Sequence, residues 1–137
     1  MLTICTMKPV DCIYTVSKPI FCKEHSVPYI AWGFGLTPSH RESTVPIMAY
    51  AWDKVIQLLY INEETLEIKI DGFYYSDKEI ISLHFIADSI LYVVFDNKDC
   101  YVSKIIYTPK LYPDSYRNLE EAYEHQSSYL SQDIYQI

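Results

Sequence analysis

The sequence predicts an antiparallel all-β meander, and three observations carry that expectation. Short β-branched and aromatic runs follow one another at Pro46–Trp52, Val55–Ile61, Leu66–Ile70, Glu79–Ile86, Ile90–Phe95 and Cys100–Ile106. Polar links such as Asp53–Lys54, Ala87–Ser89 and Asp96–Asp99 separate them, with the spacing of tight hairpins. No window in this stretch carries a long apolar stripe at helical period. The strand at Val55–Ile61 also recurs in character at Cys100–Ile106, 45 positions on, and Ile47–Trp52 recurs at Leu91–Phe95, 44 positions on. A period of roughly 40–45 residues with about four strands is that of a β-propeller blade. The fold class is therefore a partial propeller of about 2.5–3 blades, with a compact β-sandwich or barrel as the alternative closure.

Taken in order, Met1–Met7 alternates modestly and is a strand candidate closed by Lys8–Pro9. Val10–Ser17 is a second candidate, bounded by Lys18–Pro19, whereas Ile20–Ser26 is ambiguous. Val27–Phe34 is β in composition, and Gly33 and Gly35 mark a bulge or a close backbone approach. Leu36–Thr44 is a polar surface excursion. After Leu66–Ile70, in which apolar and charged residues alternate, Asp71–Gly72 is expected to turn the chain into a polar-aromatic loop before Glu79. Beyond Ile106 two prolines, Pro109 and Pro113, interrupt any ladder. Asp114 or Ser115 caps an expected short helix with Tyr116, Leu119, Ala122 and Tyr123 on one face. The organisation is thus a blade-like part over residues 1–106 and an irregular, partly helical acidic tail over 107–137.

At 137 residues the chain is long enough for a substantial core. Its net charge of −7, with no stripe of Lys and Arg, argues against nucleic acid and against adsorption to an anionic bilayer. No apolar run approaches the roughly 20 residues of a membrane span, and the N-terminus lacks the pattern of a secretory signal. Cys5, Cys12, Cys22 and Cys100 have no paired spacing, which reads as reduced, buried thiols in a cytosolic protein.

Candidate sites are sparse. Cys22 and His25 have metal-ligand spacing with Cys12 nearby, but zinc needs four convergent ligands. The remaining candidates, His40, His84, His125 and Cys100, form no second short pair, so packed or surface roles are expected and no metal or cofactor is assigned. His84 shares a strand face with Ser82 and Ile86, yet no catalytic motif surrounds it, and with 3 glycines the backbone has few places to cradle a ligand. No catalytic residue is assigned, and the chain is expected not to be an enzyme. Tyr116–Leu119 fits a short tyrosine-based sorting pattern, which in a chain with 14 Tyr is expected by chance. Trp32 and Trp52 are read as core or inter-blade residues, with a partner-facing rim position open for Trp52. The expected core comprises Ile30, Trp32, Ile47, Ala49, Ile56, Leu58, Leu83, Phe85, Leu91, Val93 and Val102. Val55–Ile61 is apolar at all positions but Gln57, which suits a strand covered on both faces.

The ordered series Thr3–Pro9, Val27–Trp32, Val45–Trp52, Val55–Ile61, Ile80–Ile86 and Ser89–Phe95 resembles the N-terminal β-propeller of the vacuolar protein sorting-associated protein 8 family. The resemblance covers roughly residues 1–106, and its motifs are hydrophobic strands with preferred Trp, Pro and Ala positions. It implies a protein-interaction module of the CORVET endosomal tether, cytoplasmic and peripheral to endosomal membranes. The implied partners are the other tether subunits and an endosomal Rab GTPase. Phe85 stands where such blades often carry Trp, and the helical solenoid and RING-type module of that family have no counterpart in these residues. An open arc leaves a naked inter-blade face, so the chain is expected to be a fragment of a longer product, to self-associate, or to close differently. The second functional reading is a free-standing all-β domain holding an apolar or sugar-like ligand in a Tyr- and Trp-lined cavity.

Overall fold

Turn chemistry sets the hairpins. In the computed structural model, which describes residues 2–7, 10–16, 27–111 and 135–136, β4 (Val45–Trp52) and β5 (Val55–Asn62) meet at Asp53–Lys54. Trp52 pairs with Val55 across this two-residue link, and Asp53 takes a left-handed φ of 58°. A positive φ in a short hairpin loop matches the right-handed twist of the strands, and Asp tolerates it better than most residues. The link between β5 and β6 (Glu67–Tyr75) is held by Asn62, whose Oδ1 accepts from the N–H groups of Glu64 and Thr65.

With β3 (Tyr29–Gly35), these strands form a four-stranded antiparallel sheet in the order β3-β4-β5-β6, here sheet I. β7 (Glu79–Ala87), β8 (Ile90–Asp96) and β9 (Tyr101–Tyr107) follow. With the two residues of β10 (Tyr135–Gln136) they make sheet II, in the order β10-β9-β8-β7. β1 (Leu2–Met7) and β2 (Val10–Val16) form a separate hairpin. The chain passes from sheet I to sheet II beside the β4–β5 turn, where the N–H of Ser76 donates to Lys54 and that of Ile80 to Asp53, each at 2.8 Å. β6 and β7 belong to different sheets, so residues 45–70 and 80–106 are two sheets rather than one continuous ladder. The fold is all-β, antiparallel and unclosed, as a partial propeller requires. Among the described residues the helical segment is the short 3₁₀ turn Thr108–Lys110. The expected helix near Tyr116–Tyr123 and the ambiguous stretch Ile20–Ser26 lie outside the described residues.

The sequence repeat maps onto this architecture. Val55–Ile61 and Cys100–Ile106 are the third strands of their sheets, and Ile47–Trp52 and Leu91–Phe95 are the second. The sheets stack face to face through one apolar cluster. Ala31, Ile47, Ala49, Ala51, Ile56 and Leu58 of sheet I meet Ile80, Leu83, Leu91, Val93, Phe95 and Val102 of sheet II. The other face of sheet I buries Met48, Tyr50, Trp52, Leu59 and Ile68 with Ile4 of β1. β5 therefore has Val55, Ile56, Leu58 and Leu59 all buried, as its run, apolar at all positions but Gln57, predicts. Each large side chain so buried is worth about 1.5–3 kcal/mol.

The structure corrects two readings of the strands. Ile30 and Trp32, expected in the core, are exposed, at 42% and 58%. β3 turns its small residues inward because β7 lies too close for larger ones. A Cβ on Gly33 would stand 2.7 Å from the Phe85 ring, and one on Gly35 would stand 2.6 Å from the Ser89 backbone nitrogen. The large side chains at positions 30, 32 and 34 occupy the opposite face by strict alternation. Asp71–Gly72, expected as a turn, lies inside β6. Leu58 pairs with Gly72 and Leu59 with Ile70, so Asp71 is the extra residue of a β-bulge. The strand continues because Phe73, Tyr74 and Tyr75 are buried, and a turn at Asp71 would forfeit that burial.

Candidate interaction surfaces

Two apolar surfaces follow from the stacking. On sheet I, Ile4 of β1 packs in one cluster with Met48 and Tyr50, but their cross-strand partners Trp32 and Ile30 on β3 are exposed. With Phe34 they make a stripe one strand wide along β3. On sheet II, the face turned away from sheet I is larger. The registers place His84 beside Tyr92 and Ile105, Ser82 beside Val94 and Ser103, and Ile90 beside Tyr107. None of these eight residues is Lys, Arg, Asp or Glu. Ile105 and Tyr107 are exposed there, with Ile86 and Tyr101 exposed beside them. The eight positions carry no acidic or basic side chain except the histidine, although Ser103 is buried. The next register row on this face, Glu79, Asp96 and Tyr101, holds two carboxylates. An apolar patch of this kind has the composition of a surface made to be covered.

Between the sheets the contacts are specific. The seam is stitched at Ser89, whose φ is 65° and whose side chain is buried. Its N–H donates to Phe34 O at 3.0 Å, its Oγ accepts from the Leu36 N–H at 2.7 Å, and its carbonyl accepts from Thr108 N–H at 2.9 Å. The Thr108 hydroxyl donates to Leu36 O and closes the ring of bonds. Gly35 is required here because backbone meets backbone, and no rotamer change could make room for a Cβ. Farther along the seam Lys104 is buried on the inner face of sheet II. Its Nζ donates to Tyr74 Oη at 3.0 Å and lies 4.2 Å from the centroid of that ring, tying β9 to β6.

A second polar cluster holds the β3–β4 loop. Thr37 and His40 exchange backbone hydrogen bonds at 3.0 and 3.2 Å, and the His40 ring stacks on Tyr60 at 4.1 Å. His40 Nδ1 lies 3.1 Å from Thr37 Oγ1, 3.0 Å from Ser39 Oγ and 3.2 Å from Asp71 Oδ2, while the Ser39 hydroxyl donates to Asp71 Oδ1. In a proton relay the nucleophile and the carboxylate use different ring nitrogens. Here hydroxyls and carboxylate converge on the same nitrogen, an arrangement suited to anchoring the loop. The bulge at Asp71 is what turns its carboxylate toward the loop. The reading of Leu36–Thr44 as a polar excursion missed this cluster, although a histidine amid Ser and Thr was a usable signal.

The other residues singled out from sequence are dispersed. Cys22, His25, His125, Tyr116 and Leu119 lie outside the described residues, and Cys12 is in β2. Cys100, expected as a buried thiol, is instead exposed, because it sits in the polar β8–β9 link rather than on an inner strand face, and its Sγ lies 3.7 Å from Asn97 Nδ2. Among the described residues no group of three or more His, Cys, Asp and Glu is placed to hold a metal ion. Ser82 Oγ and His84 Nε2 are 2.9 Å apart on the open face of sheet II, exposed to solvent. Trp52 is buried, packed edge-on against Tyr50 with ring centroids 6.5 Å apart, and so belongs to the core rather than a rim. Among the described residues no helix is long and apolar enough to cross a membrane.

Comparison with known families matches residues 1–111 to the family described as the Vps8 beta-propeller. The matched stretch runs from β1 through the 3₁₀ turn after β9. No curated protein and no solved structure matches the chain significantly.

Proposed function

The chain belongs to the Vps8 β-propeller family, and from that membership we propose that it is a non-enzymatic protein-interaction module in vacuolar protein sorting and endosomal vesicle tethering. The observation that carries the proposal is the family match over residues 1–111. Stacked four-stranded sheets with exposed apolar side chains on an outer face support it, because they supply a scaffold suited to protein contact. In this reading the chain works in the cytoplasm at the surface of endosomal membranes. Its partners are the other subunits of the tether and an endosomal Rab GTPase.

Binding of the purified chain to individual tether subunits, and to the Rab GTPase in its GTP- and GDP-bound forms, tests this directly. The proposal expects retention of at least one tether subunit, or of the GTP-bound GTPase in preference to the GDP-bound form. A folded chain that binds none of them, while a small apolar or sugar-like molecule raises its melting temperature, would overturn the proposal in favour of a ligand-binding domain.

A further inference from the structure

We draw no further inference here: the strongest candidate, the outer face of sheet II around His84, Tyr92, Ile105 and Tyr107, is an apolar sheet face unpartnered among the described residues, and nothing in the structure shows what covers it.

Discussion

β5 and β9 hold the same place in their sheets, third in each, and differ in how many faces they bury. Along β5, Val55, Ile56, Leu58 and Leu59 are all within the core, because β1 lies over one face of sheet I and sheet II over the other. Along β9, Val102 and Ile106 are buried against sheet I. On the other face Tyr101 and Ile105 are exposed and Ser103 is buried, and among the described residues no second sheet lies over that face. Both strands are rich in β-branched and aromatic residues, so strand propensity does not separate them. What separates them is the number of neighbouring sheets. The energetic weight of an apolar side chain here depends on which face of which sheet it occupies.

Truncation on the two strands makes the sharpest contrast. Leu58→Ala removes a fully buried side chain from the inter-sheet cluster and is expected to lower stability by about 2–5 kcal/mol. Ile105→Ala on the open face is expected to change it by no more than about 0.5 kcal/mol. Urea unfolding of both variants measures the difference, and equal losses would break the comparison by showing the outer face of sheet II to be covered within the chain.

The seam between the sheets comes next. Gly35→Ala brings a Cβ within 2.6 Å of the Ser89 backbone nitrogen, so β3 and the β7–β8 turn have to part. A loss of about 3 kcal/mol is expected, at the upper end for an overpacked site. Gly33 faces the Phe85 ring instead of backbone, and that ring has more freedom to yield. Ser89→Ala is the smaller perturbation. It removes the acceptor for the Leu36 N–H without changing the backbone and is expected to reduce stability by about 1–3 kcal/mol. The melting temperatures of these two variants, set beside that of the parent chain, check both the order and the size of the effects.

Much of the fold was legible in the sequence because it is written in local signals. The strands from β4 to β9 follow from β-branched runs and polar turns, and the 44–45-residue offsets identify equivalent strands correctly. The two-sided burial of β5 was readable from its run, which is apolar at all positions but Gln57. Three features were not readable, each for a non-local reason. The inward face of β3 is set by how closely β7 approaches, so Ala31, Gly33 and Gly35 pack while Ile30 and Trp32 face out. Asp71–Gly72 has the composition of a turn, but the burial of Phe73, Tyr74 and Tyr75 keeps the strand running and makes Asp71 a bulge. The His40 cluster depends on that bulge, since it joins residues 31 or more positions apart. On the candidate surfaces, the count of about 2.5–3 blades implied that an open arc would leave an inter-blade face naked, and the registers were needed to say which residues lie on the outer face of sheet II.

The central claim is that residues 27–111 form two sheets stacked face to face, and proton NMR tests it most directly. Nuclear Overhauser contacts are expected between the Gly33 α-protons and the Phe85 ring, and between the Gly35 α-protons and the backbone of Ser89. A ladder of cross-strand backbone contacts between β6 and β7, in place of those side-to-face contacts, would merge the two sheets into one and contradict the account.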